Sequence, residues 1–242
     1  ADIVMQLSFG PATRFPTVGE LFQGRFDDIA QAIDPQSFDP NLKPEKSKDA
    51  NLILARRFGK LRATASLFWQ DIDDAIFSFS GLNQFGTVIT SYKNVDRVRQ
   101  YGLEFIAEVK DLLPGLDIDG NIAWTDAQTL RNRANPAAEG VQFPRIPRWR
   151  SNGNIRYTVA DPVKLSVGWR FATRPNSDLF GLVRGGAYGF QTEYAFIDTR
   201  ASFALSKAIE LSVGVDNLFN DKAYVSHPLP QRTFVADIKA RW

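Results

Sequence analysis

Val163-Lys164-Leu165-Ser166-Val167-Gly168-Trp169-Arg170-Phe171 alternates without a break. Val163, Leu165, Val167, Trp169 and Phe171 fall on one side of an extended chain, and Lys164, Ser166, Gly168 and Arg170 on the other. Successive side chains of a β-strand point to opposite faces, so this stretch reads as a strand with one apolar and one polar face. The pattern returns along the chain. Phe234, Ala236, Ile238, Ala240 and Trp242 oppose Val235, Asp237, Lys239 and Arg241. Ile209, Leu211, Val213 and Val215 oppose Glu210, Ser212, Gly214 and Asp216. Leu61, Ala63, Ala65, Leu67 and Trp69 oppose Arg62, Thr64, Ser66 and Gln70, and Leu116, Ile118, Ile122 and Trp124 oppose Asp117, Asp119, Asn121 and Thr125. About ten strands are predicted, near residues 3–9, 47–58, 60–78, 98–109, 116–126, 148–158, 164–173, 194–205, 209–218 and 232–242. No amphipathic helix of useful length competes with them.

The connections between these strands alternate in length. The Gly59 turn, Asp111–Gly115, Ala160–Pro162 and Ser206–Ala208 are short; 10–46, 79–97, 127–147, 174–193 and 219–231 are long. Tight turns at one end and long loops at the other are the habit of an outer-membrane barrel, and a soluble sandwich has no such strict alternation. Aromatic placement agrees. Phe9, Trp69, Trp124 and Trp169 sit on the apolar face near strand ends that lead into long loops, Trp149 sits where a strand leaves one, and Tyr157 and Trp242 sit near the opposite ends. Two interfacial girdles need this arrangement. The competing reading, core aromatics of a soluble β protein, does not sort tryptophans by loop length.

The 242 residues carry 29 Lys+Arg against 27 Asp+Glu, a net charge of +2, which gives no sign of a nucleic-acid partner. Cysteine is absent, so there is no disulfide framework, zinc cluster or thiol nucleophile. Mean hydropathy is −0.23. No apolar run approaches the roughly 18 residues of a transmembrane helix, but a membrane barrel needs only every second residue apolar. The opening ADIVMQLSFG lacks the marks of a signal peptide and reads as a strand already under way, so the start of the gene product is expected elsewhere. In hydrocarbon a sheet must close on itself to satisfy its backbone. The polar face holds Arg62, Glu104, Glu108, Arg150, Arg156, Arg170, Arg200, Lys239 and Arg241. A narrow lumen would have to pair all of them, whereas a wide one, filled by water or a plug, tolerates them.

Three stretches resemble TonB-dependent outer-membrane receptors. The first is RFPTVGELFQ, Arg14 to Gln23, followed by DPNLKPEKS, Asp39 to Ser47. The second is YGLEF, Tyr101 to Phe105. The third and most specific is VDNLFNDKAY, Val215 to Tyr224, then a loop, then QRTFVADIKARW to the last residue. The resemblance implies a 22-stranded transmembrane antiparallel β-barrel around an N-terminal plug, of which 1–242 is the C-terminal portion, without the plug and the N-terminal strands. It implies import of a ferric siderophore or similar metal chelate in the bacterial outer membrane, among lipid and lipopolysaccharide. Coupling to the TonB complex would run through a plug that this chain lacks. It also implies recognition of the terminal aromatic, Trp242, by the barrel assembly machinery. No cofactor is expected.

Ligand candidates on the predicted extracellular loops are Arg14, Phe22, Phe85, Tyr92, Arg131, Arg145, Phe180, Arg184, Tyr188, Tyr224 and Arg232. Arginine and aromatic rings suit an anionic, flat catecholate or carboxylate complex through charge and stacking, although loop residues are also commonly solvated or packed on each other. His227 is the only histidine, and a solvated loop side chain is its simpler reading. A haem receptor of the resembled family would carry histidine between the motifs at 14–23 and 39–47, where there is none. Copper would favour thioether, thiol or imidazole, of which the chain has one Met, no Cys and one His. The cluster Asp71, Asp73 and Asp74 suits a hard cation, a solvated strand end, or a divalent bridge to lipopolysaccharide. Asn217 to Asp221 reads as a turn closed by its own Asn and Asp side chains. A hydrolase would have only the adjacent Ser226 and His227, which cannot easily face one another, and no orienting group. A passive porin-like channel formed by a small barrel remains the alternative. Deleting Trp242 is expected to lower the amount of barrel assembled in the outer membrane, measured as surface level; unchanged levels would refute that role.

Overall fold

The computed structural model describes residues 3–241 apart from 23, 25, 28–30, 36 and 83–87. The expectations placed on Phe85 and Trp242 lie outside the described residues. Ten long strands form: β1 Ile3–Arg14, β2 Glu45–Phe58, β3 Leu61–Leu82, β4 Val88–Val109, β5 Leu116–Arg131, β6 Trp149–Ala160, β7 Val163–Ala172, β8 Tyr194–Ala204, β9 Ile209–Asp216 and β10 Thr233–Ala240. They make one antiparallel sheet in which every strand lies beside its neighbours in sequence, from β1 at one edge to β10 at the other. Two-residue pairings, Phe26–Asp27 with Ala32–Ile33 and Tyr224–Val225 with His227–Pro228, lie in loops, and among the described residues one five-residue α-helix, α1, spans Val18–Phe22 and one 3-10 turn spans Pro136–Ala138.

Register carries the apolar pattern across the sheet. Leu7 stands opposite Leu52, Leu52 opposite Leu67, Leu67 opposite Leu103, Leu103 opposite Trp124 and Trp124 opposite Trp149. Farther on, Ala201 stands opposite Val213 and Val213 opposite Ala236. A slip of one residue anywhere would turn a whole strand inside out. The outward face stays exposed: Leu67 at 51% and Ile238 at 73%. Soluble monomers do not leave apolar surface bare on this scale, and hydrocarbon is the solvent it fits.

The inward face answers with polar residues, many of them paired across strands. Arg156 meets Asp119 at 2.5 Å, Arg170 meets Asp198 at 3.0 Å and Arg200 meets Asp216 at 2.7 Å. Gln100 donates to Gln70, and Gln70 to Asp49, in a ladder across β4, β3 and β2. Several inward charges that a wide lumen would merely tolerate are thus neutralised within the wall.

One stretch departs from the pattern. Residues 79–97, read as a long loop, are largely strand, because β3 and β4 each run for 22 residues. A crossing needs about 9–11, so this hairpin stands on the order of 30 Å beyond the membrane. The ladder skips Asp74, whose φ is +55°, and the buried face changes parity there. Ile72 and Val98 below the skip, and Ala75, Phe77, Phe79 and Val95 above it, belong to one cluster with Ala138, Phe143 and Leu179. A period-two template loses a strand whose inner face switches from even to odd positions. This cluster, at the long-loop end, is the chain's hydrophobic core.

Glycines make room where an aromatic ring lies along the sheet. A Cβ on Gly153 would come within 2.3 Å of the Trp169 ring and 2.4 Å of the Asp119 carbonyl oxygen, and one on Gly120 within 2.8 Å of the same ring. The indole crosses both glycines, and its Nε1 donates to Ser151 Oγ at 3.0 Å. Ser151 in turn donates to the Asn121 carbonyl, so neither the indole N–H nor the Ser151 hydroxyl is stranded. Gly153→Val is expected to destabilise the barrel by about 1–3 kcal/mol, read as a lower midpoint in thermal unfolding followed by heat-modifiable mobility.

Candidate extracellular site

The short turns, around Gly59, Gly115, Pro162 and Ser206, gather at one end of the sheet and the long connections at the other. Those long loops are laced to one another. The Arg145 N–H donates to the Asn176 carbonyl at 2.9 Å and Asn176 Nδ2 to the Gln142 carbonyl at 2.9 Å, joining the loop after β5 to the loop after β7. That second loop is tied equally to the one after β9. The Thr192 N–H donates to the Tyr224 carbonyl and the Tyr224 N–H to Thr192 Oγ1, both at 2.9 Å, while Gln191 Nε2 reaches Ser226 Oγ at 2.9 Å. Asn217, almost wholly buried, closes the base of the last loop. Its Nδ2 donates to the Asp221 and Pro230 carbonyls and its Oδ1 accepts from the Asp221 N–H. The turn reading of 217–221 therefore matches the geometry.

Between these ties lies a cleft of about 250 Å³ lined by Arg174, Asn176, Ser177, Val183, Arg184 and Gln191. Arg174 Nη2 donates to Glu193 Oε1 at 3.0 Å, and Arg184 makes no ion pair among the described residues. Beside the cleft, the Arg145 guanidinium lies 5.4 Å from the centre of the Phe77 ring and donates to Ser78 Oγ at 3.4 Å. Arg145 and Arg184, neither of them in an ion pair among the described residues, leave two cations open to an anionic partner, while the Phe77 ring is covered by Arg145 and packed against Phe79 and Phe143.

The sequence candidates fall into distinct places. Arg145 and Arg184 share the laced loop assembly with Tyr188 and Tyr224. Tyr188 is exposed and its hydroxyl meets His227 Nε2 at 3.2 Å, the rings set edge to face. Tyr224 is half-buried and holds its loop through its backbone. Phe180 is exposed on a turn held by Asp178. Arg14 and Phe22 belong to the far edge of the sheet. Arg14 is engaged by Glu45 at 2.5 Å and Glu20 at 3.0 Å, beside a capping box in which Thr17 and Glu20 bond each other's backbone N–H, and Phe22 ends α1 in the open. Tyr92 lies on β4, opposite Ser78. A bulge sets Arg131 opposite Arg97, on the outward face. Arg232 is exposed where β10 begins, its N–H held by Asn220. Sequence reasoning missed Arg174, Asn176 and Gln191. Arg174 sits two residues past a strand end, and Asn and Gln at loop positions give no pattern. The acidic trio is split: Asp71 is taken by Arg97 and Arg99, and Asp74 stands 3.7 Å from Lys43.

Arg174 holds the Glu193 carboxyl below the usual carboxylate range, chiefly through its hydrogen bond. A carboxylate whose pKa is lowered by folding stabilises above its unfolded pKa of about 4.3, and that contribution is lost as pH falls through the depressed value. Amide protection at 189–193, corrected for intrinsic exchange, is expected to stay level from about pH 7 to pH 5 and to drop below about pH 4. Glu193→Gln should remove that drop.

Comparison with known proteins places this geometry. A family model described as "TonB dependent receptor-like, beta-barrel" matches residues 2–218. The iron-regulated outer membrane virulence protein of Vibrio cholerae serotype O1 is 24% identical over 195 residues, 76% of this chain and 28% of that protein. Among solved structures, the copper transporter OprC superposes with a TM-score of 0.74 at 21% identity, covering 98% of this chain and 38% of that one. The siderophore receptor PiuA from Acinetobacter baumannii gives 0.73 at 16% identity, covering 98% and 34%. At such identities the solved structures speak for the fold, a transmembrane β-barrel. The chain spans little more than a quarter of the Vibrio relative and about a third of each solved chain. With the family matched over most of its length and the alternating ten-strand sheet in register, the chain belongs to the TonB-dependent receptor β-barrel family of the bacterial outer membrane.

Proposed function

We propose that this chain is the C-terminal part of an outer-membrane receptor that imports a ferric siderophore or similar metal chelate by TonB-coupled active transport. The observation that carries this reading is the laced loop assembly, with Arg174 and Arg184 in one cleft and Arg145 beside it against Phe77. Guanidinium groups grip carboxylate or catecholate oxygens rather than a bare metal, so the cleft suits a preformed anionic complex. At about 250 Å³ it accommodates one arm of such a ligand, and neighbouring loops would hold the rest. Two of the relatives bear names that point the same way, a siderophore receptor and an iron-regulated outer membrane protein, while the third is named a copper transporter.

The outer edges of β1 and β10 have no partner strand among the described residues. An open edge in hydrocarbon leaves amides unsatisfied, which supports further strands completing the wall; a plug within it is part of the proposed reading. Through that plug the TonB complex would act. The C-terminal segment ending in Trp242 would serve as the signal for the barrel assembly machinery. A plug of roughly 120–150 residues encoded upstream would decide against a passive porin.

The test is growth of a strain with and without the gene on a panel of ferric siderophores under iron starvation. One chelate is expected to depend on the gene; indistinguishable growth on all of them sinks the reading. Arg184→Ala and Arg145→Ala are each expected to raise the half-saturating concentration of that chelate about tenfold, measured with radiolabelled iron.

A further inference from the structure

Outside the barrel wall, just above the aromatic girdle, two rows of charge follow from the strand register. Phe9, Ala50, Trp69 and Tyr101 form an outward row of directly opposed residues. Two residues up each strand, about 7 Å nearer the loops, the next row reads Lys48, Asp71 and Arg99. The row beyond reads Lys46, Asp73, Arg97 and Arg131. Five cations thus face two carboxylates at the level where lipid headgroups meet water.

Asp71 organises the centre of this patch. It is only 5% exposed, while Arg97 and Arg99 are 46% and 37% exposed. Arg97 donates to it through Nε at 2.7 Å and Nη2 at 2.8 Å, and Arg99 through Nε at 3.0 Å and Nη2 at 2.7 Å. Both guanidinium groups are thereby held by one edge, and their Nη1 groups donate to nothing among the described residues. Arg99 also lies 5.7 Å from the centre of the Trp69 ring, which ties the pair to the girdle. Lys46, Lys48 and Arg131 form no ion pair among the described residues.

We propose that this patch is a binding site for the phosphate groups of the outer leaflet's phosphorylated glycolipid, with Arg97 and Arg99 as its fork, Asp71 as the residue that positions them, and Lys46, Lys48 and Arg131 as flanking cations. Asp71 and Asp73 do not neutralise the five cations, so a net positive patch, with one pair of its donors pre-oriented by Asp71, faces the headgroup layer. Guanidinium groups match phosphate geometry, and a fixed pair loses little freedom on binding. The wall below presents leucine and aromatic side chains to the acyl chains of the same lipid. The site is outside the lumen, so its failure would leave the import reading standing.

The test uses the intact receptor in mild detergent, with native mass spectrometry reading bound lipid. The probes are bis-phosphorylated lipid A, the same lipid with its phosphates removed, and inorganic phosphate. The phosphorylated lipid is expected to bind about tenfold or more tightly than the dephosphorylated one, and millimolar inorganic phosphate should not displace it. Arg97→Gln/Arg99→Gln and, separately, Lys46→Gln/Lys48→Gln should each weaken binding severalfold. Asp71→Asn distinguishes an organised site from diffuse charge: it makes the patch more positive yet should weaken binding. Equal binding of both lipids, displacement by inorganic phosphate, or an Asp71→Asn protein that binds as well or better would overturn the proposal. Should Asp71→Asn fail to assemble, the lysine pair decides, since it leaves Asp71 and its arginines in place; unchanged binding there overturns it equally.

Discussion

Backbone amides in hydrocarbon have only one another. Every feature of this chain's wall follows from that constraint. Ten strands hydrogen-bond in sequence order because a meander satisfies each new strand with the one just laid down. The chain then has no freedom of register, since a shift of one residue would put charges such as Arg170 and Asp198 into lipid. The inward charges can therefore be arranged strand against strand, and Arg156, Arg170 and Arg200 each find a carboxylate on the neighbouring strand.

The same constraint ends where the membrane ends, and the structure changes character there. Above the aromatic row the β3–β4 hairpin continues in water, skips a rung at Asp74 and turns its apolar face toward the loops. A small hydrophobic core forms around Val95, Val98 and Leu179. Loops after β5, β7 and β9 are joined by backbone and side-chain hydrogen bonds rather than by packing alone. The candidate cleft rests on this second framework.

What the sequence made legible divides along the same line. Within the membrane one rule, alternation, governs every residue, and strands such as Val163–Ala172 and Ile209–Asp216 were readable from it. Beyond the membrane no single period holds. The outer half of β3 and β4 reads as loop because its inner face shifts parity. Arg184 and Arg145 were found as loop arginines, but their company with Arg174, Asn176 and Gln191 depends on which loops touch, and that is a long-range fact. Asp71 shows the limit best. As one of three nearby acids it reads as a solvated strand end, a bridge to lipopolysaccharide or a cation ligand; only the register reveals two arginines on the adjacent strand claiming it.

The lacing of the loops has a mechanical side. A connection pinned on both flanks, as 173–193 is at Asn176 and at Thr192, cannot swing alone. Displacing any one of the three loops strains the other two, so they behave as a single stiff canopy and shift together. A load on the loop that carries Arg184 is therefore shared with the loop that Asn217 closes.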